Sequence, residues 1–308
     1  PMTYDLQKVA ARLAESPATA VARWEQRYRD QVTAVAEQIL LRRNKSPVVL
    51  LAGPSGSGKT TTAIRLRERL IAMGHRAHLI SMDNYFRSWT DPDFPRFPDG
   101  SEDLENPDCM DTPLLEEHFS QLEAGECIYV PIYDFPSHRR LPDRLLRLDA
   151  APGDLFIFEG IHALNRRFTL AHPDACRVYV SPEGTFAWED RAFSPQSLRL
   201  TRRLVRDYLF RGATVEYSLT LWGNVVSSEG QYVTPYRETA HCRVDTTLAY
   251  EPAVLLPYVG RLLANLPGEV PCREAVEALR AMVPTVPSLS SAYVPEDSIL
   301  REFIGHTT

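Results

Sequence analysis

The chain lacks the features that mark several protein classes. Its five cysteines, Cys109, Cys127, Cys176, Cys242 and Cys272, form no Cys-x-x-Cys pair, which argues against both a zinc cage and a disulfide framework. They read as reduced thiols of a cytoplasmic protein. His172 with Cys176, and His241 beside Cys242, are isolated pairs that fall short of a full zinc ligand set. No apolar run approaches the ~20 residues that span a bilayer, and no signal peptide opens the chain, so no membrane partner is expected. Pro1 ahead of Met2 reads as the residue left by a cleaved tag and is set aside. Positive charge is not in excess either: 34 Lys and Arg stand against 40 Asp and Glu, a net charge of -6. A dominant nucleic-acid surface is therefore not expected. Internal repeats and low-complexity tracts are missing, which leaves a globular enzyme as the class to pursue.

What is present is a complete G-x-x-x-x-G-K-[ST] loop, Gly53-Pro54-Ser55-Gly56-Ser57-Gly58-Lys59-Thr60. The apolar run Val48 to Ala52 before it reads as a buried parallel strand, and Thr61 to Met73 after it as a helix whose apolar face is Ile64, Leu66, Leu70 and Ile71. Glycines let backbone amides surround phosphate oxygens, and the helix beginning at Gly58 directs its positive end at the same anion. Gly53, Ser55, Gly56, Ser57, Gly58, Lys59, Thr60 and Thr61 are thus the candidate nucleotide cradle. Lys59 is expected to reach the β- and γ-phosphates and the Thr60 hydroxyl to ligate Mg²⁺. Kinases, GTPases, motor ATPases and nucleotide-gated switches all use such a loop, so the rest of the chain must discriminate among them.

Residues 3–44 read as two helices whose arginines, Arg23, Arg27, Arg29 and Arg42 among them, are expected to be solvated. Strands are expected at Arg76 to Met82, Asp154 to Phe158 and Arg177 to Val180, with a short β excursion over Val130 to Asp134 and Arg139 to Leu148. A long proline-rich loop from Asn84 to about Asp111 precedes a helix capped by Asp111 or Thr112. Strands alternating with helices imply an α/β fold with a mainly parallel sheet, whose ligands sit at the carboxyl ends of the strands. Lys59, Asp83 and Glu159 all fall there. A helix from Ser197 to Phe210, studded by Arg199, Arg202, Arg203, Arg206 and Arg211, reads as a lid over the phosphates rather than a solvated basic face. Proline-punctuated helices follow about Tyr250 and are expected to pack against the sheet.

In-line phosphoryl transfer requires a phosphate cradle with metal, a carboxylate near the acceptor hydroxyl, and positive charge over the transferring group. Asp83 is the candidate general base or hydroxyl-orienting group, and Glu159 the candidate Mg²⁺ holder. GTPase base recognition would need an Asn-Lys-x-Asp element after a later strand, and only Asn44-Lys45, ahead of the loop, approaches it.

The ordered set Gly53 to Thr60, Met82-Asp83-Asn84-Tyr85-Phe86-Arg87, Glu105-Asn106-Pro107-Asp108, Val130 to Phe135 with His138-Arg139, Phe158-Glu159-Gly160-Ile161 and Arg202 to Gly212 resembles the uridine kinase and phosphoribulokinase family. The resemblance covers roughly residues 46–250, with the lid at about 197–235. It leaves residues 1–45 and 251–308 as helical extensions of a three-layer P-loop kinase domain. It implies ATP as donor and Mg²⁺ around Thr60, Asp83 and Glu159. It also implies an acceptor hydroxyl activated by Asp83, and an acceptor pocket lined by Phe86, Glu105, Tyr133, Phe135, His138 and Arg203. Lys59, Arg203 and Arg206 would join Asp83 in the transfer step, with Arg206 and Arg211 on the nucleotide. The partners so implied are ATP and a small-molecule acceptor, and a homo-oligomer is compatible. The chain departs from the uridine-cytidine kinases at Glu105 (aspartate there), Phe86 (tyrosine), Ala213 (a lid arginine) and Leu221 (glutamine). A pyrimidine nucleoside 5′-hydroxyl is the first expectation for the acceptor. A sugar, polyol or hydroxy acid, or a degenerate nucleotide sensor, remains the alternative.

Overall fold

Unbroken apolar runs form the centre of the molecule, because a run without polar alternation is hidden only in a strand covered on both faces. The structure, a computed structural model, describes residues 2–266 and 269–306, and Pro1 lies outside them. It opens with a strand β1 (Thr3–Asp5), a helix α1 (Leu6–Glu15) capped by the Asp5 carboxylate, and a long helix α2 (Pro17–Arg42). Next come β2 (Val48–Ala52), α3 (Lys59–Ala72) and β3 (Ala77–Ser81). After the long loop stand α4 (Thr112–Glu123), with Asp111 accepting from the Leu114 amide, and a hairpin of β4 (Ile128–Asp134) and β5 (Arg139–Leu148). Then follow β6 (Leu155–Glu159), α5 (Arg166–Ala171), β7 (Cys176–Ser181) and the short pair β8 (Thr185–Trp188) and β9 (Arg191–Phe193). The chain continues through α6 (Pro195–Phe210), α7 (Val215–Tyr232), β10 (Cys242–Asp245), α8 (Glu251–Ala264), α9 (Arg273–Met282) and α10 (Arg301–Ile304).

Five parallel strands form the central sheet in the order β10-β7-β2-β6-β3. Alternate residues of β2 feed opposite faces: Val49 and Leu51 pack with α2, α3, α6 and α8, while Val48, Leu50 and Ala52 pack with α4, α5 and the β4-β5 hairpin. The N-terminal and C-terminal helices share the first of these cores, which includes Leu6, Trp24, Tyr28, Ile299 and Phe303. In register, Glu159 lies beside Leu51 on one side and Ser81 on the other. The glycine loop after β2, Asp83 just beyond β3 and Glu159 at the end of β6 therefore emerge at one edge of the sheet, as open parallel sheets require of a binding site.

Sequence and structure differ in four places. The fifth strand, β10, escapes the apolar pattern because only Val244 of its four residues is buried. β1 is too short to show a period; it pairs in parallel with β8. The buried face of α3 is Thr62, Ala63, Leu66 and Leu70, whereas Ile71, expected inside, is 51% exposed. Arg27, expected in solvent, donates to the Tyr4 hydroxyl and to Asp245, tying α2 to the end of β10.

Candidate functional site

The glycine loop is shaped by close neighbours. A Cβ at Gly53 would stand 2.1 Å from the Val180 carbonyl oxygen of β7, so no side chain fits there. Gly58 caps α3 with φ 84, in the left-handed region that glycine adopts without strain. Several side chains hold the loop's carbonyls from outside. Arg202 donates to the carbonyls of Gly56 and Ser57, both at 3.3 Å, Thr246 to Ser57 at 2.6 Å, and Arg199 to Ser55 at 2.8 Å. Two carboxylates sit on its amides: Glu229 accepts from Ser55 N at 2.6 Å, and Glu302 accepts from Thr61 N at 3.3 Å and Thr61 Oγ1 at 2.8 Å. Positions where amides meet carboxylates are positions suited to phosphate oxygens.

Around Lys59 the acidic groups converge. Thr60 Oγ1 donates to Glu159 Oε1 at 3.4 Å, and Glu159 is only 2% exposed. Burial pushes the Glu159 carboxyl up to about 8; Asp83 and Glu302 add to the shift, while Lys59 and the Thr60 bond oppose it. Half-buried Asp83 is also raised by burial, against the pull of Lys59, Arg211 and Arg206. Burial likewise lifts Glu105 to about 7, with Glu229 and Asp83 adding and Arg203 and Lys59 opposing. Lys59 thus acts on all three carboxylates, which arise from β6, from the turn after β3 and from the long loop.

These shifts carry a pH signature. A carboxyl raised from 4.5 in the unfolded chain to about 7 in the fold gives a contribution complete below pH 4.5 and lost as pH climbs through 7. Removing that titration in Glu105→Gln should make the nucleotide-free protein progressively more stable than wild type between about pH 5 and about pH 8. Thermal unfolding midpoints across that range provide the check, and a constant difference would refute it. Glu159 has the same sign with a window reaching higher.

Beside the carboxylates lies an aromatic cluster. Tyr133 meets Phe86 edge-on at 5.7 Å and Phe135 at 5.1 Å, and Phe135 is 48% exposed. Asn84 Oδ1 accepts from Tyr133 N at 3.1 Å, fastening β4 to the Asp83 turn. Arg140 of β5 braces the same turn by donating to the Tyr85 and Phe86 carbonyls and to Asp111. His138, at the hairpin turn, donates its amide to the Phe135 carbonyl at 3.3 Å and stacks on Trp89 with ring centroids 3.4 Å apart.

The arginines of α6 and its C-terminal cap divide into two groups. Arg199 pairs with Glu229, and Arg202 with Glu251, the latter two fully buried. Arg203, Arg206 and Arg211 gather on one carboxylate, Asp207, at 3.3, 2.8 and 3.6 Å. Arg203 also donates to Ser55 Oγ at 3.0 Å, and Arg206 and Arg211 bear on Asp83. The sequence pattern presents all five as one lid face; Arg199 and Arg202 instead hold the loop carbonyls. Glu229 and Glu302, which sit on the loop amides, carry no signal in the sequence pattern. They are separated from their partners by 174 and 241 residues, so no local pattern announces them.

A family model described as "Phosphoribulokinase / Uridine kinase family" matches residues 48–249. A uridine kinase of Staphylococcus haemolyticus is 30% identical over 194 residues, covering 63% of this chain and 84% of that protein. Among solved structures, a putative fructose transport system kinase from a Silicibacter species aligns with TM-score 0.47 and 20% identity, over 70% of this chain and 97% of that one. A D-glycerate 3-kinase from Cryptococcus neoformans aligns with TM-score 0.48 and 18% identity, over 68% and 89% respectively.

Proposed function

Because the chain belongs to the phosphoribulokinase and uridine kinase family of P-loop kinases, and is a phosphotransferase acting on an alcohol, we propose that it transfers the γ-phosphoryl group of ATP to the 5′-hydroxyl of a pyrimidine nucleoside. The observation that carries this reading is the convergence of Lys59, Thr60, Asp83 and Glu159 at one sheet edge beside the Phe86, Tyr133 and Phe135 rings. Residues 53–61 bind the phosphates, with Glu229 and Glu302 yielding the Ser55 and Thr61 amides to the nucleotide. Asp83 orients the acceptor hydroxyl and takes its proton. Burial raises its basicity, against the opposing pull of Lys59, Arg211 and Arg206. Arg203, Arg206 and Arg211 exchange Asp207 for the charge that develops on the transferring group.

Thr60, Asp83 and Glu159 supply hard oxygen donors, and the raised carboxyls of the last two mark a place where a cation would favour their charged forms. That suits Mg²⁺ held by one or two side chains and the nucleotide's own phosphates; bound there, the ion would neutralise phosphate charge. No helix among the described residues is long and apolar enough to cross a membrane. We place the reaction in the cytoplasm, with ATP and the small acceptor as partners.

The acceptor is the less constrained half. Glu105, Phe86, Ala213 and Leu221 stand where uridine-cytidine kinases have other side chains, which favours a sugar or polyol as the second reading. A panel of nucleosides, sugars, polyols and hydroxy acids, assayed for ADP formation with ATP and Mg²⁺, tests both. Uridine or cytidine should give the highest kcat/KM. If no alcohol raises ADP formation above background, the kinase reading is rejected.

A further inference from the structure

One buried side chain leaves most of its hydrogen-bonding capacity unused. His162, in the turn after β6, is 1% exposed; its ring meets the main chain of Glu105 in a poorly aligned hydrogen bond, and neither Nδ1 nor Nε2 has a well-formed partner. Among the described residues it is the only side chain with two such buried atoms. Buried polar groups are nearly always paired in folded proteins, so an imidazole in this state points to a ligand.

Its surroundings belong to the acceptor side. The main chain of Glu105 lies against the ring, and Lys59 acts on it from the phosphate side. Glu105 Oε2 is itself buried without a partner, and so is Asp103 Oδ1 in the same loop. Burial, helped by Arg167, drives the imidazole down to about 3 and keeps it neutral. One ring nitrogen therefore donates and the other accepts. A neutral donor-acceptor ring is complementary to hydroxyl groups, which both donate and accept. It is a poor match for a carboxylate, which only accepts and leaves the accepting ring nitrogen without a donor.

We propose that His162 is a specificity-determining residue of the acceptor site, forming with Glu105 an inner polar subsite for the hydroxyls of a neutral, polyhydroxylated acceptor. This rests on the kinase reading and deepens it. It selects nucleosides, sugars and polyols over hydroxy acids.

The test uses the full chain and two variants. His162→Leu removes both nitrogens at similar volume, while His162→Gln keeps a donor and an acceptor. Binding of uridine, 2′-deoxyuridine and 3′-deoxyuridine is measured by calorimetry with a non-hydrolysable ATP analogue present, and ADP formation is followed in parallel. His162→Leu should weaken uridine by about 10- to 100-fold, leave KM for ATP unchanged, and lose the preference for uridine over at least one deoxy analogue. His162→Gln should recover part of the loss. A folded His162→Leu variant with unchanged uridine affinity and unchanged discrimination would overturn the proposal. If His162→Leu does not fold, the ring ¹⁵N resonances of His162 in the wild type decide: a shift on adding uridine supports the subsite and no shift overturns it. A wild-type enzyme that phosphorylates only hydroxy acids overturns this inference and leaves the kinase reading standing. One that binds and phosphorylates no alcohol removes both.

Discussion

Asp83→Asn should lower kcat and kcat/KM together by about 10²–10⁴-fold while ATP affinity stays within a few-fold of wild type. Asparagine has the same shape and can still orient a hydroxyl, but it cannot take the proton. The loss therefore falls on the transition state rather than on nucleotide binding. The geometry makes this separation plausible physically: the loop amides and Lys59 hold the donor, whereas Asp83 stands on the turn braced by Asn84 and Arg140, next to the acceptor rings. Steady-state kinetics with the best acceptor, paired with calorimetric ATP binding, give the two numbers separately. Unchanged turnover would remove Asp83 from its assigned role.

Arg202→Met should cost about 3–5 kcal/mol of stability, the penalty of leaving one member of a buried ion pair alone. Arg202 and Glu251 are both fully buried, and the guanidinium makes two bonds to that carboxylate, at 2.7 and 2.9 Å. Burial raises the Glu251 carboxyl even with Arg202 opposing it, so without Arg202 the acid must either protonate or remain as an unpaired charge. The double variant Arg202→Met with Glu251→Leu should regain most of the loss, since an apolar pair of similar volume needs no desolvated charge. ATP affinity should remain low in the double variant, because the Gly56 and Ser57 carbonyls lose their brace either way. Urea unfolding of the three proteins provides the measurement, and a single-variant loss below about 1 kcal/mol would show the pair to be dispensable.

The readable parts of this chain are those whose cause is local. Strand, glycine loop and helix announce the cradle because the conformation of each residue there is fixed by its own neighbours in sequence. Asp83 and Glu159 stand out as the first charges beyond apolar strands. Arg202 and Arg203 illustrate the limit. They are adjacent and chemically identical, yet one helical step of about 100° turns the first into the core toward Glu251 and the second toward Ser55. Only the tertiary partner, 49 residues downstream, decides which is which. β10 was hidden for a related reason: an edge strand with one buried residue carries no apolar run. Glu302 leaves no trace at all, because its partner Thr61 is reached only through the folded core.

That last contact has a consequence for how the protein is made. Glu302 on Thr61 and Ile299 against Gly58 complete the phosphate-binding turn with residues translated some 241 positions later. At roughly 5–20 residues per second, the turn waits on the order of 10–50 s between its own synthesis and that of its closing wall. A nascent chain that has reached Thr246 therefore carries the braced loop without that wall, and ribosomes stalled before residue 299 would display the site without the Glu302 carboxylate.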